Sequence, residues 1–389
     1  MADKTKNSGN PALRPALRKV LPLAAALLAS VIPPAAAAAE LNIPVLVPVT
    51  GFLALEGTSQ RNGAVLALSD APAGLKVESE VIDTGTAPEG AVTALERAAG
   101  RGTPTAVAAS MLGTQMLAML PLAEEYGVPL VTVSGTASIT ERGNPWVFRF
   151  FPGDGVTKTA HARYAVEELG KRRPAVIHQT TAYGQSGQAH LRDAFAKLGV
   201  EPVFEEGVDP GIRDMLPVLT KAMAANPDVL ILHLHSGPTA LFIRQAAAMG
   251  ITVPIVAGSA MHQPSTAALL EPAELKGVCA ESSASPVSGG TPELERFTAD
   301  YRATFKTEPD AFALGQYDGI RMVLDAAAKG AETPEAIRDA LAKSTYQGLA
   351  MTYRSDGRGN MAHSAVIVCY DGASRVPAVV KRYDTAAPP

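Results

Sequence analysis

The chain has 389 residues, of which 47% are hydrophobic and 19% charged, with a net charge of −4. That length suits two ordinary domains, and that composition argues against a disordered chain. Aromatics are scarce at 5%, and the balance is acidic, so a nucleic-acid surface is not expected.

The first 39 residues read as a secretory signal peptide. Lys4, Lys6, Arg14, Arg18 and Lys19 outweigh Asp3, which makes this head +4 and the remainder −8. The apolar run "VLPLAAALLASVI" then meets Pro33-Pro34 and an alanine tail. Ala37-Ala38-Ala39 fits small-residue cleavage, placing the cut before Glu40 and the product in the periplasm. An uncleaved anchor is the competing reading, since Val20 to Ala39 carries no charge. The prolines and alanines argue against it, so no stable membrane insertion is expected after signal removal.

From Leu41 onward, strand and helix patterns alternate. Strand-like runs are "LNIPVLVPVTG", "LKVESEVIDT", "TAVAAS", "PLVTVS", "PAVIHQT", "EPVFEEGV", "DVLILHLHS", "TVPIVAGSA" and "GVCAES". Between them the spacing predicts helices over 57–68, 91–100, 113–126, 156–170, 187–198, 213–225, 238–249 and 265–270. Apolar strands alternating with helices mean parallel sheets covered on both faces, which bind ligands at the strands' carboxyl ends. After Pro292 come three helices, over 293–305, 311–329 and 334–343. Two strands around a turn follow, "AMTYRSDGRG" and "HSAVIVCYDG". Extended crossings are expected at "PWVFRFFPGDG", "ESSASPVSGG" and "GLAMTYRSDG".

Three strand-to-helix loops in the first half share glycines and hydroxyls: Thr50-Gly51, Ser110 through Gly113 and Thr114, and Ser134-Gly135-Thr136-Ala137-Ser138. Hydroxyls and free N–H groups at one sheet edge suit a small anion such as a carboxylate. For any single loop, ordinary helix capping is the better explanation, whereas three such loops on one sheet edge favour a binding site. Cys279 and Cys369 lie in strand-like runs; a disulfide and two buried free thiols both remain open.

The stretches "VPVTGFLALEG…RNGAVLAL", "LPLAEEYGVPLVTVSGTAS", "TTAYGQSGQ", "RQAAAMGI" and "GQYDGIRMVLDA", in that order, carry a resemblance. They resemble type I periplasmic binding proteins, and more narrowly the leucine/isoleucine/valine-binding receptors of ABC importers. The resemblance spans about Leu41 to Asp371. It implies an α/β fold of two doubly wound parallel-sheet lobes joined by a three-crossing hinge. It divides the chain into residues 40–150 plus 284–350 and residues 151–283 plus 351–389. It also implies no catalysis, no cofactor, and ABC permease membrane subunits as partners. The ligand would be a small carboxylate-bearing molecule, either a branched-chain or other amino acid or an aliphatic or aromatic carboxylate.

By the same resemblance, Ser110, Gly113, Thr114, Ser134, Thr136, Ala137 and Ser138 grip the carboxylate. Leu53, Ala54 and Leu55 touch the rest of the ligand. Tyr183, His235, Ser236, Ser259, Met261 and His262 close over it from lobe two. One departure matters. The loop "VAGSAMHQPST" carries no acid to hold an ammonium group, and the sequence identifies no substitute. Asp318 reads as a structural helix position. His235 and His262 lack the acid or cysteine neighbours of a metal site, so no metal is expected. Two other readings are a sensing module of the same fold and an exported hydrolase built on Ser186. The "GQSGQ" stretch around Ser186 lacks the last glycine of a nucleophile elbow.

Overall fold

A computed structural model describes residues 39–384; the expected signal peptide lies outside the described residues apart from Ala39. The chain opens with β1 (Ala39–Asn42), β2 (Val45–Val47) and α1 (Ala54–Ser69). Then come β3 (Leu75–Glu78), β4 (Val81–Asp83), α2 (Pro88–Ala99), β5 (Val107–Ala109) and α3 (Gly113–Tyr126). β6 (Leu130–Thr132), a short α4 (Ser138–Glu141) and β7 (Val147–Arg149) complete a parallel sheet of order β4-β2-β5-β6-β7. Pro44, which has no N–H to donate, separates β1 from β2.

The second half begins with α5 (Asp154–Arg163), β8 (Pro174–Gln179), α6 (Ala182–Lys197), β9 (Phe204–Val208) and α7 (Leu216–Ala224). β10 (Val229–His233), α8 (Ser236–Ala248), β11 (Ile255–Ala257), α9 (Pro264–Ala267) and β12 (Val278–Ser282) follow. The chain then returns to the first sheet with α10 (Pro292–Phe305), α11 (Ala311–Ala328), α12 (Pro334–Lys343) and the hairpin β13 (Thr345–Gln347)–β14 (Thr352–Arg354). It ends in the second sheet with β15 (Ser364–Cys369) and β16 (Ala378–Asp384). That sheet has the order β16-β15-β12-β11-β10-β8-β9, with β15 and β16 antiparallel. The chain therefore passes between two α/β lobes three times. The spacing did not single out β16; its residues alternate in exposure as an edge strand should.

Helix α1 shows how the first lobe packs. Its inner face buries Ser59, Gln60 and Asn62 as well as alanines. Each polar group has a partner: Ser59 with Asp310, Gln60 with Gln316 and the Ala109 carbonyl, Asn62 with Tyr301. A Cβ on Gly63 would lie 2.1 Å from the Ala313 carbonyl oxygen, so only glycine lets α1 and α11 approach this closely. Asp318 on α11 accepts from the Leu349 and Ala350 N–H groups and the Tyr353 hydroxyl, a structural role. Tyr353, Met361 and Ala362 pack in the same apolar core as α11.

Cys279 and Cys369 form a disulfide between facing residues of β12 and β15. It closes a loop 90 residues apart in sequence. Constraining so long a loop in the unfolded chain stabilises the fold by a few kcal/mol. Replacing both cysteines with serine should lower the unfolding free energy by about 2–5 kcal/mol in a denaturant titration. Unchanged stability would contradict the pairing.

Candidate ligand site between the two sheets

The carboxyl ends of both sheets face each other across a tight cavity of about 30 Å³. Leu53 and Glu56 reach it after β2, Met111 after β5, Val133 and Gly135 after β6, and Phe312 from α11. From the crossing after β7 and the start of α5 come Phe151, Asp154 and Thr157. The second sheet contributes Tyr183, His235, Ser259, Ala260 and Glu281. One wall is thus largely apolar and the other polar. The lobes touch directly: Ser236 N–H donates to Glu56 Oε1 at 2.8 Å, Ala137 N–H to Ser186 Oγ at 3.0 Å, and Gln263 Nε2 to Asp310 Oδ2 at 2.7 Å.

Three carboxylates share this water-poor space. Burial raises the pKa of Glu56, against the pull of Ser236. Burial also pushes Asp154 up to about 6, although Lys158, Ser186 and Arg149 hold it down. Glu281 forms an ion pair with Lys158, each side chain 1% exposed, and accepts from Ser259 N–H at 3.2 Å. Glu56 Oε2, Asp154 Oδ2 and Glu281 Oε2 are all buried with no hydrogen-bond partner. Among the described residues, no lysine or arginine lines the cavity. The histidines add no charge. Burial lowers His235 to about 3 and His233 well below its ordinary value. Tyr183 packs on both rings, with centroids 3.8 Å from His233 and 5.0 Å from His235. A Cβ on Gly187 would strike His233 Nε2 at 2.1 Å, so this glycine seats α6 against β10.

Arg149 organises the opposite loop. Its buried guanidinium donates to the Gly135 and Thr136 carbonyls at 3.1 and 2.8 Å, to Thr140 Oγ1, and to Asn360 Oδ1. Burial lowers its pKa to about 10, which leaves it charged at neutral pH.

The expected site residues fall into three groups. Leu53, Tyr183, His235 and Ser259 line the cavity. Ser110, Gly113, Ser134, Thr136, Ala137 and Ser236 lie near it in other roles. Ser110 donates to Gln115 Oε1 and accepts from Leu112 N–H, so bonds within its own loop and helix occupy it. A Cβ on Gly113 would fall 2.0 Å from Thr136 Oγ1; its absence brings the two loops together. Ser134 Oγ and Thr136 Oγ1 are buried without partners. Ala137 N–H is taken by Ser186, and Ser236 N–H by Glu56. The rest sit elsewhere. Leu55 is exposed, and Ala54, Thr114 and Ser138 are half-buried on helix starts. Met261 packs in the core of the second lobe, where its side chain sheds more water than at a polar cleft. His262 is fixed between Ser282 Oγ and Ser285 Oγ at 2.9 and 2.8 Å, and burial lowers it to about 4.

The 256–266 loop carries no acid, but acids reach the cavity from other elements. Asp154 reaches it from α5 and Glu281 from β12. An acid closing the apolar strand "VCAES" was a readable signal for Glu281. Nothing in the local sequence singles out Asp154 or Glu56.

A family described as periplasmic binding protein matches residues 40–374. An amino acid binding protein of Pseudomonas aeruginosa is 27% identical over 345 residues, covering 85% of this chain and 90% of that protein. A Leu/Ile/Val-binding protein of Rhizobium johnstonii is 26% identical over 331 residues, covering 82% and 88%. The structure of a leucine-binding protein of Thermotoga maritima superposes with a TM-score of 0.81 at 25% identity, covering 88% of this chain and 99% of that one. A solute-binding protein of Rhodopseudomonas palustris, solved with 3,4-dihydroxybenzoic acid, shares the fold at a TM-score of 0.79 and 21% identity, covering 90% and 99%. With two lobes, three crossings and a closed cavity between the sheets, this chain belongs to the periplasmic binding protein family.

Proposed function

We propose that this protein is an ABC-importer receptor that encloses a small amino acid between its lobes and delivers it to membrane permease subunits. The observation that carries the reading is the set of three buried carboxylates, each with one unpartnered oxygen, around one cavity. An ionised carboxylate buried without a cation is costly, and an ammonium group with three N–H donors meets that need. The hydroxyls of Ser134 and Thr136, buried without partners, remain the proposed contacts of the ligand's carboxylate. A carboxylate lacking the amino group would face three acids and no lining cation, which disfavours it. The names of the relatives, amino acid binding and Leu/Ile/Val-binding, support the same class.

Capture would follow hinge closure. The lobes we propose are residues 40–150 with 284–362, and 151–283 with 363–384. The packing of Tyr353, Met361 and Ala362 beside α11 supports the later third crossing.

Thermal unfolding against a panel tests the class. Amino acids should raise the melting temperature while matched carboxylates without the amino group should not; the reverse pattern would sink the reading. Asp154→Asn keeps the side chain's shape and removes its charge. It should weaken amino-acid binding at least tenfold, about 1.4 kcal/mol or more, with the fold retained. The pH dependence has a fixed sign. A ligand ammonium favours ionised Asp154, whose pKa in the empty protein is about 6. Affinity should therefore be flat above pH 6 and fall as pH drops below it, because binding must then displace a proton. Calorimetry across pH 4.5–7.5, a window of roughly 1.5 units on each side of that value, would show this. An affinity that rises on acidification would contradict it.

A further inference from the structure

We infer that Glu56 selects amino acids whose side chain ends in a cation. This rests on the amino-acid reading above and narrows it to a ligand class. Asp154 and Glu281 approach the cavity from α5 and β12, whereas Glu56 approaches from α1 on the facing lobe. Its neighbours on that wall are Leu53, Met111, Val133 and Phe312. A ligand whose α-ammonium meets Asp154 and Glu281 thus presents its side chain toward a wall that is apolar except for one carboxylate.

Glu56 is half-occupied. Oε1 accepts from Ser236 N–H at 2.8 Å, while the Ser236 hydroxyl turns to Gln263 Oε1 at 2.6 Å. Gln263 in turn donates to Asp310, so this polar chain is satisfied up to Glu56. Oε2 is left buried, on a residue 1% exposed, with no partner. No nearby cation is free to meet it. Lys158 is on Glu281, and Arg149 is spent on carbonyl, hydroxyl and amide oxygens. The charge balance points the same way. Of the three acids that line the cavity, Glu281 is paired with Lys158 and Asp154 feels the charge of Arg149, which leaves Glu56 as the one without a cation. A zwitterion of zero net charge does not change that. An amino acid with a basic side chain brings net +1 and supplies that cation, while its methylene stem lies along the apolar wall. A site built to bond a group discriminates strongly against the analogue that lacks it.

The test uses matched pairs with the same carbon chain: lysine against norleucine, and ornithine against norvaline, each pair differing by one terminal ammonium group. Isothermal titration of the purified protein should show the basic member of at least one pair binding at least tenfold tighter than its partner. Glu56→Gln keeps an oxygen for Ser236 N–H and removes the charge; it should cut that ratio below threefold. Equal or tighter binding of norleucine and norvaline by the unaltered protein would overturn the inference while leaving the amino-acid reading standing. So would a ratio unchanged in E56Q, or binding of other amino acids with none of these four. Failure of every amino acid to bind would overturn both.

Discussion

Glu56, Asp154 and Glu281 are withdrawn from water into one cavity, where an ionised carboxylate is unfavourable unless a cation meets it. Glu56 comes from α1 of the first lobe and Glu281 from β12 of the second, so contact between the lobes brings these acids to one cavity. Burial without a cation drives Glu56 and Asp154 toward their protonated forms, as their raised pKa values record. A cation among them reverses that shift and favours the closed arrangement. Lys158 supplies this compensation for Glu281 from within the chain, and the proposed ligand supplies it for the others.

The scaffold holds these groups by devices that lie outside the cavity. Arg149 gathers the carbonyls of the 134–136 loop and so fixes the line of the backbone facing Tyr183. Gly113 and Gly187 are places where a methyl group would collide with Thr136 and His233, so both sides of the cleft depend on close approaches. The disulfide ties β12 to β15 two residues before Glu281. The imidazoles of His233 and His235, packed on Tyr183, stay neutral because burial disfavours imidazolium, which leaves the acids as the groups that a ligand cation can meet.

Much of the fold was legible in the sequence because its signals are local. The run from Gly113 to Tyr126 and the stop at Gly127, which adopts φ 62°, follow helix periodicity and glycine termination. Apolar strands alternating with helices fixed the parallel sheets. The edge strand β16 was missed because its alternation is carried by valine, lysine and arginine, with little apolar contrast. The site was legible in part. Tyr183 and Ser259 followed from the family resemblance, and His235 from its strand end. The acids did not, because nothing local separates Glu56 on α1 from a solvated glutamate. Its burial is set by Ser236, 180 residues away. Met261 and His262 misled for the complementary reason: they follow a strand end, yet the turn there folds inward to the core and to Ser282.

The most direct measurement is a crystal structure of the protein with a bound amino acid. The expected result places the ligand's nitrogen about 3 Å from a carboxylate oxygen of Asp154 or Glu281, inside the closed cleft. A ligand bound outside the cleft, or one turned with its carboxylate toward these acids, would contradict the central claim.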